Sequence, residues 1–97
     1  MNDLLRPTPE TVVIQVFPNG NEIRADLLHA FTSRLPELYP DRDYDVEEIC
    51  GRDYWRSLPK IHRIRGGRTI AYLVKAGQLP LEFATCPHAV PKRYRLK

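Results

Sequence analysis

The chain has 97 residues, 42% of them hydrophobic and 28% charged, with nine prolines and a formal net charge of +3. This length predicts one small domain spanning residues 1–97, in which about 60–65% of the extended surface can be buried and a deep catalytic cleft made of many loops is hard to build. The prolines exclude a long coiled coil, no apolar run reaches membrane-spanning length, and MNDLLRPTPE lacks the charged-then-apolar pattern of a signal peptide, so a cytoplasmic protein without a membrane partner is expected.

Residues 8–17, TPETVVIQVF, support two readings. Thr8 could cap a helix opened by Pro9 and Glu10. Val12-Val13-Ile14, followed by Val16 and Phe17, favours a strand instead, and the strand is preferred. Pro18-Asn19-Gly20-Asn21 is a turn under either reading. Residues 24–38 form a predicted helix, with Leu27, Leu28, Phe31, Leu35 and Leu38 on one apolar stripe and His29 facing solvent. Pro36 kinks it or ends it early. Residues 45–56 are a second predicted helix. Asp45 is its N-cap, Glu48 can complete a capping box, and Val46, Ile49, Cys50 and Trp55 face inward.

A third helix is predicted over residues 67–76, starting there or a few residues earlier. Ile70, Leu73 and Val74 are its inner face, Lys75 lies in its last turn, and Gly77 suits a left-handed C-terminal cap. Residues 81–86 and 93–96 are predicted strands flanking a loop with Pro87 and Pro91. Leu79, Leu81, Phe83, Tyr94 and Leu96 supply the apolar side of the resulting hairpin.

Charge is distributed unevenly along this order. Residues 1–55 carry five arginines against eleven carboxylates, a net −6; residues 56–97 carry ten Lys or Arg against Glu82 alone, a net +9. A concentration of Arg and Lys such as the second half attracts polyanions, the nucleic-acid backbone above all, while the acidic half would repel them and orient the encounter. The plainer reading is a solubilising surface of uneven charge.

Two cysteines do not make a disulfide framework. Cys50 reads as a buried thiol. Cys86 and His88, with the distant His29 and His62, match no compact zinc module, and Gly66-Gly67 lacks the residues of a phosphate loop, so no metal and no cofactor are expected. The acidic run Asp41, Asp43, Asp45, Glu47 and Glu48 lacks the glycine and closing glutamate of a calcium loop. The three histidines have no nucleophile or carboxylate at a catalytic spacing, and no enzymatic activity is expected.

The segment GRTIAYLVKAGQLPLEFATCPHAVPKRYRLK resembles the end of a winged helix-turn-helix domain. The residues that carry the likeness are Thr69, then Ile70, Leu73 and Val74, then Gly77 and Leu79, and finally Arg93-Tyr94-Arg95-Leu96, an aromatic flanked by cations at the end of a wing. The likeness covers residues 45–97. It implies a small α+β winged-helix-like fold with about three helices, a C-terminal β-hairpin and an added N-terminal strand. It also implies a recognition helix over 67–76, a wing over 81–96, and binding to double-stranded DNA as a transcriptional regulator or accessory factor. One departure is the stretch from Trp55 to Arg68, longer than the tight turn that joins the two helices in that family.

Helical spacing puts Arg68, Tyr72 and Lys75 on one face, opposite Ile70, Leu73 and Val74, with Thr69 at its edge. Arg and Thr can meet base edges in a major groove. Arg63 and Arg65 enter that helix, and Lys92, Arg93 and Arg95 sit on or beside the wing, where they suit phosphates. The expected DNA contacts are thus Arg63, Arg65, Arg68, Thr69, Tyr72, Lys75, Lys92, Arg93 and Arg95. The alternative is a non-catalytic protein-interaction module of the same fold. In both readings the acidic N-terminal half is expected to point away from nucleic acid and to serve a homodimer or a basic protein partner.

Overall fold

The computed structural model describes residues 12–86 and 88–97. The chain opens with a hairpin, β1 (Ile14–Phe17) and β2 (Asn21–Arg24), whose antiparallel register runs from Ile14 opposite Arg24 to Phe17 opposite Asn21. The strand preferred for residues 8–17 is therefore found over its second half, and the Thr8-Pro9 helix start lies outside the described residues. The predicted turn closes the hairpin. Asn19 and Gly20 adopt φ of 67° and 74°, a left-handed backbone that suits Asn and Gly, and the Asn21 side-chain amide donates to Pro18 O at 2.8 Å. Strand β2 is new relative to the sequence reading, which began a helix at residue 24. Its four residues hold one buried aliphatic side chain, Ile23, too short a pattern to announce a strand.

Helix α1 (Ala25–Thr32) buries Leu27 and Phe31, and a short turn over Leu35–Glu37 buries Leu35. Pro36 falls in that turn, after the α-helix has ended. Helix α2 (Val46–Cys50) starts on the capping box read from sequence: Glu48 N–H donates to Asp45 Oδ1 at 2.8 Å and Asp45 N–H to Glu48 Oε1 at 3.0 Å. The predicted helix 45–56 is broken at Gly51, which takes φ 98° and starts α3 (Arg52–Ser57) in a new direction.

Helix α4 runs from Lys60 to Lys75, seven residues longer at its N-terminal end than the core of the predicted helix. Pro59 sets its start, accepting from His62 N and Arg63 N. Only Leu58 and Pro59 separate α3 from α4, so the long connection that departed from the winged-helix pattern is in fact a tight turn. At the C-terminal end Gly77, at φ 74°, donates to Val74 O and Gln78 N–H donates to Leu73 O, the paired bonds of a Schellman cap. Strands β3 (Leu81–Phe83) and β4 (Tyr94–Leu96) pair antiparallel, Leu81 opposite Leu96 and Phe83 opposite Tyr94. Tyr44, just before α2, adds a bridge to this hairpin, with Tyr44 and Tyr94 exchanging backbone hydrogen bonds at 2.7 and 2.8 Å.

The result is an α+β, winged-helix-like arrangement: an N-terminal two-stranded sheet, a run of helices and a C-terminal β-hairpin. One cluster of buried side chains joins β2, α1, α2, α4 and the hairpin, with Ile23, Leu27, Phe31, Ile70, Leu81 and Tyr94 at most 1% exposed. Burial of this kind contributes about 1.5–3 kcal/mol per large side chain. Trp55, expected to face inward, is only partly buried against the cluster. Among the described residues no helix is long and apolar enough to cross a membrane.

Candidate nucleic-acid interface

Helix α4 is divided lengthwise. Gly66, Thr69, Ile70, Leu73 and Val74 are buried. Ile61, Ile64, Arg65, Arg68 and Lys75 are exposed, and Tyr72 is half-buried. The inner face seats on β2 through two contacts that need small or polar residues. A Cβ at Gly66 would run into the Leu27 side chain, so only glycine lets α4 lie this close to α1. The Thr69 hydroxyl donates to Glu22 O at 2.7 Å, joining α4 to β2. Thr69 is fully buried, which corrects its expected place at a DNA-facing edge: its one donor is spent inside the fold.

The other expected contact residues separate into two groups. Arg65, Arg93 and Arg95 are held by carboxylates of the N-terminal half. Arg95 Nε donates to Asp43 Oδ1 at 2.8 Å, and the same pair holds the Arg95 guanidinium more firmly protonated than usual. Arg93 Nη2 lies 3.5 Å from Glu48 Oε1 and donates to Asp43 O at 3.0 Å. Arg65 Nη1 is 3.8 Å from Glu22 Oε1. Outside the expected set, Arg56 Nη2 is 2.9 Å from Glu47 Oε2. These four ion pairs join the acidic half of the sequence to the basic half. The acidic half, expected to point away from nucleic acid, is thus not segregated from the basic half: Glu22, Asp43, Glu47 and Glu48 stand among its cations.

In the second group, Arg63, Arg68 and Lys92 form no ion pair among the described residues, and all three line one groove of about 590 Å³. The groove lies between α4 and the turn of the wing and reaches across to α2 and α3. Gly67 and Ala71 of α4, Trp55 of α3, Val90 and Pro91 of the wing loop and the ring of Tyr94 make its walls largely apolar. Asp45 and Glu47 line it as well; Asp45 caps α2 and Glu47 holds Arg56. Lys75 is not brought to this groove. It lies at the far end of α4 in a smaller depression beside Leu81, Glu82 and His88.

Two residues that line the groove each carry a buried polar atom with no hydrogen-bond partner among the described residues: Arg63 at Nε and Tyr94 at its hydroxyl. Burial pushes the Tyr94 pKa up to about 12, so the hydroxyl remains a protonated donor through the physiological range. Gly67, Ala71, Trp55 and Tyr94 were not singled out from sequence as site residues. Their spacing around the groove depends on three separate elements, although the small residues Gly67 and Ala71, four apart on the helix, are the one local signal of an open strip.

Among the described residues no group of three or more His, Cys, Asp or Glu side chains could hold a metal ion. Cys50 is buried and its thiol pushed up to about 12 by that burial, while Cys86 is exposed; both are free thiols. No protein-family model matches the sequence, and no curated protein or solved structure shows significant similarity to it.

Proposed function

We propose that this winged-helix-like protein binds double-stranded DNA through the outer face of α4 and the adjoining wing turn, acting as a sequence-preferring regulator or accessory factor. The observation that carries this reading is the groove at which Arg63, Arg68 and Lys92 come together without carboxylate partners. An unpaired guanidinium or ammonium loses nothing by turning to a phosphate, whereas a paired one must first give up its carboxylate. Arg68 is the candidate for a base edge, Arg63 and Lys92 for phosphates on either side, and Tyr72 and Lys75 for the continuation along α4. Arg65, Arg93 and Arg95 serve the DNA less than their positions in sequence imply, because Glu22, Glu48 and Asp43 already hold them.

Fluorescence anisotropy with labelled duplex at two salt concentrations tests this. The log–log slope is expected near 0.9 per phosphate engaged. Arg68→Ala should weaken binding by about 1–3 kcal/mol, and Arg95→Ala by much less. No binding at low salt would sink the proposal.

A second reading, protein docking, is favoured by β1. Val12 and Val13 just before β1, and Ile14 and Val16 within it, are 41%, 59%, 39% and 71% exposed, and β1 is an edge of its two-stranded sheet. An uncharged, apolar edge is a template for strand addition. A homodimer or a partner strand at β1 would leave the α4 groove free, and sedimentation at several concentrations separates the two uses.

A further inference from the structure

The α4–wing groove has features that a DNA backbone does not require. Phosphates ask for exposed cations, but here the cations share one groove with Trp55, Ala71, Val90, Pro91 and Tyr94. Its volume, about 590 Å³, falls within the range of small-molecule sites, roughly 300–1,000 Å³. Tyr94 is 1% exposed, and its hydroxyl has no acceptor among the described residues; Arg63 Nε is buried and equally unpartnered. Buried donors in proteins are normally satisfied, and leaving one unpaired is costly. Both donors belong to residues that line the recess, and two unsatisfied donors on one set of lining residues point to a ligand with acceptor oxygens.

The charge balance of the recess selects the sign of that ligand. Three cations, Arg63, Arg68 and Lys92, line it with two carboxylates; Asp45 keeps its charge as the cap of α2, Glu47 is paired with Arg56, and the three cations form no ion pair among the described residues, so the lining is net positive. The walls select its body: a flat aromatic ring can lie against the Trp55 indole and fill the strip left by Gly67 and Ala71. A carboxylate matches the planar fork of an arginine with two parallel hydrogen bonds.

From this arrangement we infer that the groove between α4 and the wing is a binding site for a small aromatic carboxylate, its carboxylate held by Arg63 and Arg68, its ring against Trp55 and Ala71, and the Tyr94 hydroxyl donating to an acceptor oxygen. Arg63 and Arg68 also serve the DNA reading, so the two ligands would compete for this groove; the titration below is made on DNA-free protein, and its outcome is separate from whether duplex binds.

The test uses 2-naphthoate as probe, with 2-naphthamide as its uncharged counterpart of the same shape. Trp55 is the only tryptophan of the chain, so its indole N–H gives one resolved signal in a proton–nitrogen correlation spectrum. Titration with 2-naphthoate should shift that signal and the Arg68 and Ala71 amides along one saturable curve. The amide should bind at least about tenfold more weakly, a loss expected when a charge-assisted hydrogen bond is replaced by a neutral one.

Gly67→Leu fills the recess. A Cβ at that position meets nothing within 4 Å, and leucine is the better helix former, so the fold should survive while binding is abolished. Tyr94→Phe keeps the ring and should weaken binding by about threefold to tenfold, the worth of one hydrogen bond. Thermal unfolding of both variants confirms that they remain folded. An unsaturable titration, equal binding of amide and acid, an unchanged dissociation constant in folded Gly67→Leu, or wild-type affinity in Tyr94→Phe would each overturn the assignment.

Discussion

Gly66 and Gly67 are neighbours in one helix, yet they meet opposite surroundings. Gly66 is buried, and a side chain there would strike Leu27; Gly67 opens on the groove, with nothing within 4 Å of an added Cβ. The same division runs the length of α4. Thr69 donates inward to β2, while the adjacent Arg68 projects outward without an ion-pair partner among the described residues. The inner face fixes where α4 lies, and the outer face stays open to solvent. Glycine serves close packing in the first case and open space in the second, a distinction invisible in the dipeptide itself.

Substitution at the two glycines should separate these roles most clearly. Gly66→Ala gains helix propensity but overpacks a contact with a fully buried leucine, and a net loss of about 1–2 kcal/mol is expected. Gly67→Ala meets no obstacle and should stabilise by about 0.5–1 kcal/mol. Urea unfolding of the two variants measures both signs; equal effects would remove the distinction between the faces.

Next in size are the adjacent residues Thr69 and Arg68. Thr69→Val preserves shape but deletes the hydroxyl bonded to Glu22 O, and should cost about 1 kcal/mol or somewhat more. Arg68→Ala, at an exposed position, should change stability by less than about 0.5 kcal/mol while weakening DNA binding. A stability loss at Arg68 equal to that at Thr69 would show that the outer face is structural as well.

A smaller effect at neutral pH concerns Tyr94. Burial raises the pKa of Tyr94, Tyr54 and Cys50 to about 12, with a contribution at Tyr54 from the neighbouring Asp26. Each group is held neutral in the fold, so the unfolded chain loses its protons first as pH rises. The stability these groups contribute is therefore complete below their ordinary values, 9.0 for Cys and 10.0 for Tyr, and is lost as pH climbs toward 12. At the acid end the sign reverses. Arg24 donates to both oxygens of Asp26 and lowers its pKa, so that contribution is present above the ordinary carboxylate range and lost as pH falls through the lowered value. Tyr94→Phe should keep or raise stability at pH 7, by up to about 1 kcal/mol, since it removes a buried hydroxyl that has no partner among the described residues, and should make the alkaline loss shallower. A variant with an unaltered alkaline limb would place that titration elsewhere.

Local signals carried much of the fold. The capping box of Asp45 and Glu48, the left-handed cap at Gly77 and the Ile70, Leu73 and Val74 stripe each depend on residues within a few positions of one another and appear as read, and the C-terminal hairpin is found with its first strand shortened from 81–86 to Leu81–Phe83. The start of α4 was less legible, because two consecutive glycines suggest a break in a helix, and packing against Leu27 and Ile23 outweighs that local preference. Strand β2 was missed because its pairing with β1, rather than its own composition, makes it a strand.

Charge shows the limit most plainly. The order of amino acids alone establishes how many cations the second half holds and that its helix has a basic outer side. Which of those cations are available is settled by the packed fold and by nothing local. Folding brings Asp43 to Arg95, Glu48 to Arg93, Glu22 to Arg65 and Glu47 to Arg56, and leaves Arg63, Arg68 and Lys92 together at an apolar recess. The difference is one of range: capping and helical periodicity act over three or four residues, whereas an ion pair depends on a distance of a few ångströms in space, set here between positions up to 52 apart in the chain.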